Sequence, residues 1–337
     1  ELVLKTIQDI ERYEINSKCS TLAGNILVFF SCERDIKEAG LYLNKHGYLK
    51  EQIYPLYSRL AKQEQTKIFN RHAKHRKIIL STNIAETSLT VPGISYVIDS
   101  GKVRISRYNY KTKVQQLPIE NISKASADQR QGRCGREGPG RCYRLYSQQT
   151  YQSMTEQTEV EILRTNLASV LLMSLDLKIG ALQDFPFLQK PDQRFIKDAT
   201  KVLEEIQAIN SKSQLTNIGR HISRLSVDPR LGRIILAGDK LNCLSQVIVI
   251  ATFITIQDPR EFPQERQEYA RQMHSRFNDK NMASDFKSIL LLWCYYQEQQ
   301  QLLSRQGLRK QLAKECLNVI RLREWQDLVK QIFQQMK

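Results

Sequence analysis

The sequence predicts an α/β domain, built on a parallel sheet with helices on both faces, followed by a region that is mainly helical. Two observations lead to this fold class. Over the first 150 residues, short apolar runs rich in β-branched residues alternate with segments whose apolar positions recur every three or four residues. After residue 150 the helical pattern predominates to the end of the chain.

Alternating strands and helices account for most of the first 150 residues. The run NILVFF, residues 25–30, is short and apolar, as in a buried parallel strand, and residues 31–47 follow with helical spacing. A second helix is predicted at 60–73. Further strands are predicted at 53–58, 77–82, 95–100 and 141–147. Because strands and helices alternate, we expect the strands to lie parallel in one sheet.

A basic insertion separates the last two of these strands. Residues 101–114 contain five Lys or Arg residues, two tyrosines and no acid, with β-like alternation around a polar centre. This pattern predicts a β-hairpin at about residues 101–118. Its charge suits contact with a polyanion, but it also suits a solvated edge hairpin whose lysines prevent aggregation.

The second half of the chain contains two kinds of helical region. Residues 160–177 and 194–209 have helical spacing and are followed by a short polar turn and a hairpin-like element. Short helices with a small hairpin suit a winged-helix module over residues 149–215. From Thr216, a predicted helix cap, residues 216–337 predict a helical bundle, in which the aromatic residues are expected to be core.

The chain carries a net charge of +16, and the excess is concentrated in its first part. Residues 1–150 hold 25 Lys and Arg against 14 Asp and Glu, whereas the remaining residues hold 26 against 21. Such an imbalance favours a polyanionic partner, above all nucleic acid. A cationic protein without such a partner is the alternative.

Composition argues against several other classes of protein. No apolar run approaches the roughly 20 residues that a membrane span needs, so no membrane partner is expected. The seven cysteines are scattered and form no CxxC pair, which favours free thiols in a reducing cytoplasm and argues against a metal site. The first residue is Glu1 rather than Met, which is compatible with a fragment of a longer protein.

Hydroxyl and amide side chains directly follow the predicted strand at 77–82. The carboxyl ends of parallel strands are where α/β sheets bind ligands, and such side chains suit a sugar-phosphate backbone or a nucleotide. The candidates in STNIAETSLT are Thr82, Asn83, Thr87, Ser88 and Thr90. The segment taken alone is equally compatible with a strand end and a helix cap.

A second candidate site is the stretch QRQGRCGREGPG, residues 129–140. Arginine provides a planar fork of donors for phosphate, and glycine lets the backbone approach closely. Arg133 and Arg136 are three residues apart, so on a helix they would share a face with Gln129 and converge on one phosphate. Gln129 could then orient an attacking water. Arg130 would lie on another face, where a structural role is expected.

These two segments together resemble the DEAH-box family of RNA helicases. The matching motifs are TNIAETSLTVPGISYVIDSG and ISKASADQRQGRCGREGPGRCYRLYS, in that order. The cysteine in QRQGRCGR and the intervening RISRYNYKTKVQQLPIE look most like the bacterial HrpA branch. Similarity continues through EILRTNLASVLL, LTNIGRHISRLSVDPRL and LREWQDL, so it covers essentially the whole chain.

The resemblance implies three domains and two ligand sites. Residues 1–148 would be the second RecA-like lobe of the motor, 149–215 the winged helix and 216–337 the ratchet-like bundle. Phe69 would stack on the ATP base, and Gln129, Arg133 and Arg136 would act at the γ-phosphate. RNA would be bound by Thr82, Asn83, Thr87, Ser88, Lys102, Arg104, Arg107, Lys111 and Lys113.

The resemblance also implies what other segments must supply. The 337 residues contain no GxxxxGK[ST] motif and no Asp-Glu pair. In the family these elements bind ATP and Mg²⁺ in the first RecA-like lobe, which is therefore an expected partner. The metal ligands are expected in that lobe. The present residues on their own are then expected to hydrolyse no ATP.

The resemblance thus implies part of a cytoplasmic, ATP-dependent 3′-to-5′ RNA helicase that supplies the arginine-finger half of an ATP site and part of an RNA channel. Its partner would be single-stranded or structured RNA, including the ribosome or another ribonucleoprotein. The alternative is a non-enzymatic RNA-binding or scaffold module. A DNA helicase of similar motor fold is a third, less favoured interpretation.

Overall fold

The computed structural model describes residues 1–17, 24–58, 60, 62–70, 75–87, 89–180, 182–263, 266–278 and 284–337. Over these residues the chain divides into two compact units, unit 1 (Glu1–Thr165) and unit 2 (Asn166–Lys337). The three-domain division expected from the sequence stays a prediction.

Unit 1 contains a parallel sheet and a basic hairpin. Its strands in the described ranges are β1 (Asn25–Phe29), β2 (Ile53–Leu56), β3 (Ile78–Ser81), β4 (Ile94–Asp99), β5 (Lys102–Arg104), β6 (Arg107–Asn109), β7 (Val114–Gln116), β8 (Ile119–Asn121) and β9 (Arg141–Arg144). The sheet has the order β2-β3-β1-β4-β9, and every adjacent pair is parallel. The predicted parallel α/β class is therefore confirmed.

Helices cover both faces of this sheet. The helices described in unit 1 are α1 (Leu2–Ser17), α2 (Glu33–Lys45), α3 (Lys62–Ile68), α4 (Ile84–Thr87), α5 (Lys124–Gln131) and α6 (Gln148–Ser153). Side chains of β1 alternate between the two faces, as a strand requires. Ile26 and Val28 pack in the cluster with α1 and α2, whereas Leu27 and Phe29 pack in the cluster with α3 and α4.

Helix α1 was not predicted from the sequence. Leu4, Ile7 and Ile10 lie three residues apart on this helix and are buried in the same core cluster as the central strands. This spacing is the helical period, so the signal was present in the sequence.

The edge strand β2 contains a proline. Pro55 is opposite Leu80 of β3, and the next residue, Leu56, accepts a hydrogen bond on its carbonyl oxygen from the Thr82 amide. Backbone groups of successive residues in a strand point to opposite sides. The Pro55 nitrogen therefore faces the outer edge of the sheet, where proline is tolerated.

Strands β5 to β8 form the basic hairpin, residues 102–121. At its base β5 pairs antiparallel with β8, and beyond this β6 pairs antiparallel with β7. The hairpin ends three residues later than the sequence suggested. The segment 155–165 packs beside it: the Tyr108 amide donates to the Arg164 carbonyl at 2.8 Å, and Arg164 Nη1 donates to the Ser106 carbonyl at 3.0 Å.

Unit 2 is helical. Its helices in the described ranges are α7 (Ala168–Asp176), α8 (Gln193–Glu205), α9 (Asn217–Ser223), α10 (Pro229–Lys240), α11 (Leu244–Thr255), α12 (Gln267–Ser275), α13 (Asp285–Leu302), α14 (Arg305–Lys314) and α15 (Val319–Gln335). Thr216 caps α9 as predicted, because its hydroxyl accepts from the Gly219 amide. Between α8 and α9, Ile209 and Leu215 form an antiparallel bridge. The winged-helix assignment of this region stays a prediction.

Aromatic side chains occupy the core of unit 2, as expected. Trp325 and Tyr296 are almost fully buried. The Trp325 indole donates to the Val249 carbonyl and to the Thr252 hydroxyl, both at 3.1 Å, and its ring meets Trp293 edge-on. Trp325 is therefore a packed and hydrogen-bonded core group, and the buried Tyr296 ring belongs to the same core rather than to an exposed stacking platform.

Candidate functional site

Two segments of unit 1 meet at the candidate site. We call residues 82–90, which follow β3, the threonine segment, and residues 129–136, which begin in α5, the arginine segment. Helix α5 begins after Ser123, whose hydroxyl accepts from the Ser126 amide at 3.1 Å. It ends at Gln131, and Gly132 is its C-cap.

The early end of α5 corrects one sequence-based prediction. Gln129 is exposed in the last turn of the helix, but Arg133 and Arg136 lie beyond it in a turn. They therefore do not share a helix face with Gln129. What brings both arginines to one place is their contacts with the threonine segment.

Arg133 is almost completely buried against the backbone of the threonine segment. It donates to the Leu89 carbonyl at 3.0 Å and to the Glu86 carbonyl. Burial lowers the pKa of Arg133, and the neighbouring charge of Arg136 lowers it further. Because its acceptors are neutral carbonyls, the positive charge of Arg133 is not cancelled by these bonds.

Arg136 is exposed and contacts the same segment through a side chain. Its Nη1 donates to the Thr90 hydroxyl at 2.5 Å. A guanidinium held by a hydroxyl keeps its full charge and most of its five donors. Arg133 and Arg136 are thus two cations held by the segment that joins β3 to β4.

Arg130 differs from its two neighbours, as expected. It is fully buried, and its donors are used by two carboxylates, Glu86 at 2.9 Å and Asp99 at 2.7 Å. Its charge is therefore balanced inside the fold. Sequence reasoning missed Glu86 and Asp99, although each is an isolated acid in a hydrophobic or hydroxyl-rich stretch, which is an unusual position for a buried charge.

Accessibility varies among the other predicted contacts of the threonine segment. Asn83 and Thr87 are exposed, whereas Thr82 is half-buried and donates its amide to the Leu56 carbonyl. Ser88 lies outside the described residues. Phe69, the predicted base-stacking residue, follows the end of α3 and is 37% exposed.

The hairpin presents basic side chains on its surface. Lys102, Arg104 and Lys111 are exposed, and Lys113 is half-buried. Lys102 Nζ donates to the Asn121 side chain across the β5–β8 pair at 2.7 Å. The exposed amines and guanidinium suit contact with phosphate groups.

Arg107 does not share this exposure. Its Nε and Nη2 donate to the two oxygens of Glu120, at 2.5 and 2.9 Å, and its Nη1 donates to Glu159 at 2.5 Å. Hydrogen bonds to these carboxylates raise the pKa of Arg107 and lower that of Glu120. These bonds hold β6 to β8 within the hairpin and, through Glu159, to segment 155–165, and the predicted contact of Arg107 with RNA stays a prediction.

Comparison with known proteins identifies two helicase domains in this chain. Residues 7–138 match the helicase conserved C-terminal domain, and residues 228–289 match the ratchet-like helicase associated domain. The chain is 49% identical over 319 residues to the ATP-dependent RNA helicase HrpA of Escherichia coli. The chain thus contains two helicase domains and resembles HrpA proteins over most of its length.

Other HrpA proteins show the same relationship. The homologue from Haemophilus influenzae is 49% identical over 316 residues, which is 92% of this chain and 24% of that protein. HrpA of Borreliella burgdorferi is 38% identical over 280 residues, 80% of this chain and 34% of that protein. The Escherichia coli match covers 93% of this chain and 24% of the relative, so the chain spans about a quarter of that HrpA protein.

The part of the chain that the structure describes contains neither a metal-binding cluster nor a membrane-spanning helix. Among the described residues, no group of three or more His, Cys, Asp or Glu side chains could hold a metal ion. In the same part of the chain, no helix combines the length and the apolar character needed to cross a bilayer.

Proposed function

We propose that this chain is part of an ATP-dependent 3′-to-5′ RNA helicase and supplies the arginine-finger half of its ATP site. One observation carries the proposal: Arg133 and Arg136 both bind the threonine segment, which follows β3, through neutral acceptors. Their charges remain available to an anion there. The similarity to HrpA helicases supports a nucleotide phosphate as this anion.

The proposed chemistry follows from where charge develops. When ATP is hydrolysed, negative charge spreads over the γ-phosphate oxygens, and guanidinium groups stabilise it. Arg133 and Arg136 would bind these oxygens, and exposed Gln129 would orient the attacking water. Phe69, partly exposed beside α3, would stack on the base. The Mg²⁺ ligands and the catalytic base would come from the first RecA-like lobe.

RNA would be bound by the threonine segment and the hairpin. Asn83 and Thr87 expose polar side chains that suit the sugar-phosphate backbone, and the exposed hairpin cations Lys102, Arg104 and Lys111 suit its charge. Affinity should be mostly independent of sequence and steeply dependent on salt. The winged helix at 149–215 and the ratchet-like bundle at 216–337 would complete the RNA channel, and the protein would act in the cytoplasm on free or ribosome-bound RNA.

The proposal is tested in the full-length protein with the Arg136→Ala variant. We expect RNA-stimulated ATP hydrolysis to fall by about 10³–10⁵-fold, since a finger arginine acts mainly in the transition state. RNA binding, measured by fluorescence anisotropy, should change little. Equal hydrolysis by wild type and variant would favour the alternative of a non-enzymatic RNA-binding module.

The isolated residues 1–337 provide a second test. Without a GxxxxGK[ST] motif they lack the usual cradle for the ATP phosphates. We expect the purified 337-residue chain to bind RNA but to hydrolyse no ATP above background with Mg²⁺ present. Magnesium-dependent hydrolysis by this chain would contradict the proposed division of the ATP site.

A further inference from the structure

A buried charge cluster joins the arginine segment to the threonine segment. Arg130 of α5 is fully buried; its Nε donates to Glu86 at 2.9 Å and its Nη1 to Asp99 at 2.7 Å. Glu86 is 8% exposed and Asp99 is fully buried. We call Arg130, Glu86 and Asp99 the buried triad.

The triad connects three parts of unit 1 that are far apart in the sequence. Arg130 belongs to the arginine segment, one residue after Gln129. Glu86 lies in α4, in the middle of the threonine segment, and Asp99 is the last residue of β4. Both Nη atoms of Arg130 also lie 3.3 Å from the carbonyl oxygen of Lys102, the first residue of the hairpin.

Every carboxylate oxygen of the triad has a hydrogen-bond donor. The Ser126 hydroxyl donates to Glu86 Oε1, and the Tyr146 hydroxyl donates to Asp99 Oδ2 at 3.0 Å. The Gly101 amide donates to Asp99 Oδ1 at 2.9 Å. A buried polar network that is satisfied in this way is rigid and defines one geometry.

Stability alone does not require charged groups at this place. Replacement of a buried ion pair by packed apolar side chains is often neutral or even stabilising. A guanidinium, in contrast, has a planar fork that fixes the directions of two acceptors at once. Loss of that fork would leave the helix folded while loosening its alignment with Glu86 and Lys102.

We propose that Arg130 is a positioning residue that couples the arginine segment to the threonine segment and to the base of the hairpin. A displacement of the arginine segment on contact with a nucleotide phosphate is then transmitted through the triad to two predicted RNA-binding elements. RNA bound to those elements acts back on Arg133 and Arg136 by the same route, since coupling between two sites is reciprocal. The proposal rests on the helicase function proposed above.

The test uses the full-length protein with Arg130→Lys and, separately, Glu86→Gln. Lysine keeps the charge but loses the fork, and glutamine keeps the shape of Glu86 but loses its charge. ATP hydrolysis is measured without RNA and with saturating RNA, together with the Kd for RNA and thermal unfolding. We expect the stimulation by RNA to fall about tenfold in both variants, within the range of typical coupling between sites. Hydrolysis without RNA and the Kd for RNA should change less than the stimulation by RNA.

Arg76→Lys is the matched control. Arg76 pairs with Glu14 in unit 1, at a partly buried position where neither residue belongs to the segments above. This substitution makes the same chemical change as Arg130→Lys. The stimulation of ATP hydrolysis by RNA in this variant should equal that of wild type.

The outcomes separate the two proposals. Normal stimulation in folded Arg130→Lys and Glu86→Gln proteins would overturn the positioning role. So would a failure of both variants to fold, because the triad would then be needed for the fold alone. Absence of RNA-stimulated hydrolysis in the wild-type protein would instead refute the proposed helicase function.

Discussion

Arg136 donates a hydrogen bond to the hydroxyl oxygen of Thr90, with Nη1 and Oγ1 2.5 Å apart. The two residues are 46 positions apart in the chain, and the contact holds the guanidinium against the segment that joins β3 to β4. Thr90 therefore holds Arg136 in a defined position before any phosphate is bound. To bind a phosphate with all of its fork, Arg136 must give up this hydroxyl.

Removal of the Thr90 hydroxyl should strengthen ATP binding. Valine has nearly the shape of threonine but accepts no hydrogen bond, so in Thr90→Val the competition for Arg136 disappears. We expect the KM for ATP of the full-length protein to fall about fivefold, which corresponds to the ~1 kcal/mol of one hydrogen bond. Thr90→Ser keeps the hydroxyl and should have a normal KM. A higher KM in Thr90→Val would mean that Thr90 orients Arg136 for binding rather than restraining it.

The exposed hairpin cations should determine how steeply RNA binding depends on salt. Each cation that contacts a phosphate contributes about 0.7–1 to the slope of log Kd against log salt concentration. We expect Arg104→Gln with Lys111→Gln to reduce this slope by about 1.4–2, equally for different RNA sequences. The slope is obtained from the Kd for RNA measured by fluorescence anisotropy at several salt concentrations.

A charge-neutral exchange distinguishes Arg107 from these residues. Arg107→Gln with Glu120→Gln removes an ion pair from the hairpin without changing its net charge. Because Arg107 already binds two carboxylates, we expect the slope of log Kd for RNA against log salt concentration to stay the same in this double variant. A reduced slope would show that Arg107 contacts phosphate, as the sequence first suggested.

The turn between β4 and the hairpin should tolerate only glycine. Gly101 has φ +70°, and a Cβ atom there would lie 2.5 Å from the Tyr146 ring, whose hydroxyl is bound to Asp99. We expect Gly101→Ala to lower the free energy of unfolding by about 1–3 kcal/mol, from overpacking and backbone strain. Gly138→Ala is the control, since a Cβ atom there meets nothing within 4 Å. Urea unfolding with equal midpoints for both variants would refute the expectation.

The buried carboxylate of Glu315 should make unit 2 sensitive to acid. Burial by itself raises the pKa of Glu315, but hydrogen bonds from Arg276 and Tyr295 outweigh it and hold that pKa below its usual value. Arg276 lies 2.8 Å from the carboxylate, and the Tyr295 hydroxyl lies 2.6 Å from it. A group whose pKa is lowered by folding stabilises the fold above its unfolded pKa. That contribution is lost as pH falls through the lower, folded pKa.

Loss of Arg276 should move acid unfolding to higher pH. In Arg276→Met the pKa of Glu315 rises, so the carboxylate is protonated earlier during acidification. Circular dichroism during an acid titration measures the midpoint. In the double variant Arg276→Met with Glu315→Gln no carboxylate titrates at this position, and the upward shift should disappear. An unchanged midpoint in Arg276→Met would show that Glu315 does not control acid stability.

Local pattern was sufficient to predict much of the fold. The run at 25–30 is apolar on both faces, as the central strand of a covered parallel sheet must be, and it forms β1. Thr216 was recognisable as a cap because a hydroxyl residue precedes a helical pattern. The helical spacing of Leu4, Ile7 and Ile10 was equally local, and α1 could have been predicted from it.

The candidate site depends on contacts that no local pattern contains. Gly132 ends α5, so the three-residue spacing of Arg133 and Arg136 no longer implies a shared helix face. The two carboxylates that bind Arg130 are 44 and 31 residues away in the sequence, and Glu159, which binds Arg107, is 52 residues away from it. Sequence can mark such an arginine as a cation, but only the tertiary fold decides whether its partner is a carboxylate, a carbonyl or a ligand.

Pro55 has a consequence for how molecules of this protein meet one another. A strand from a second molecule can extend the sheet at the β2 edge only by hydrogen bonding to a row of unpaired amide hydrogens and carbonyls. Pro55 presents at this edge a ring and a backbone nitrogen that carries no hydrogen. Pro55 therefore interrupts intermolecular sheet growth, so this five-stranded sheet, although rich in isoleucine and valine, does not polymerise through its β2 edge.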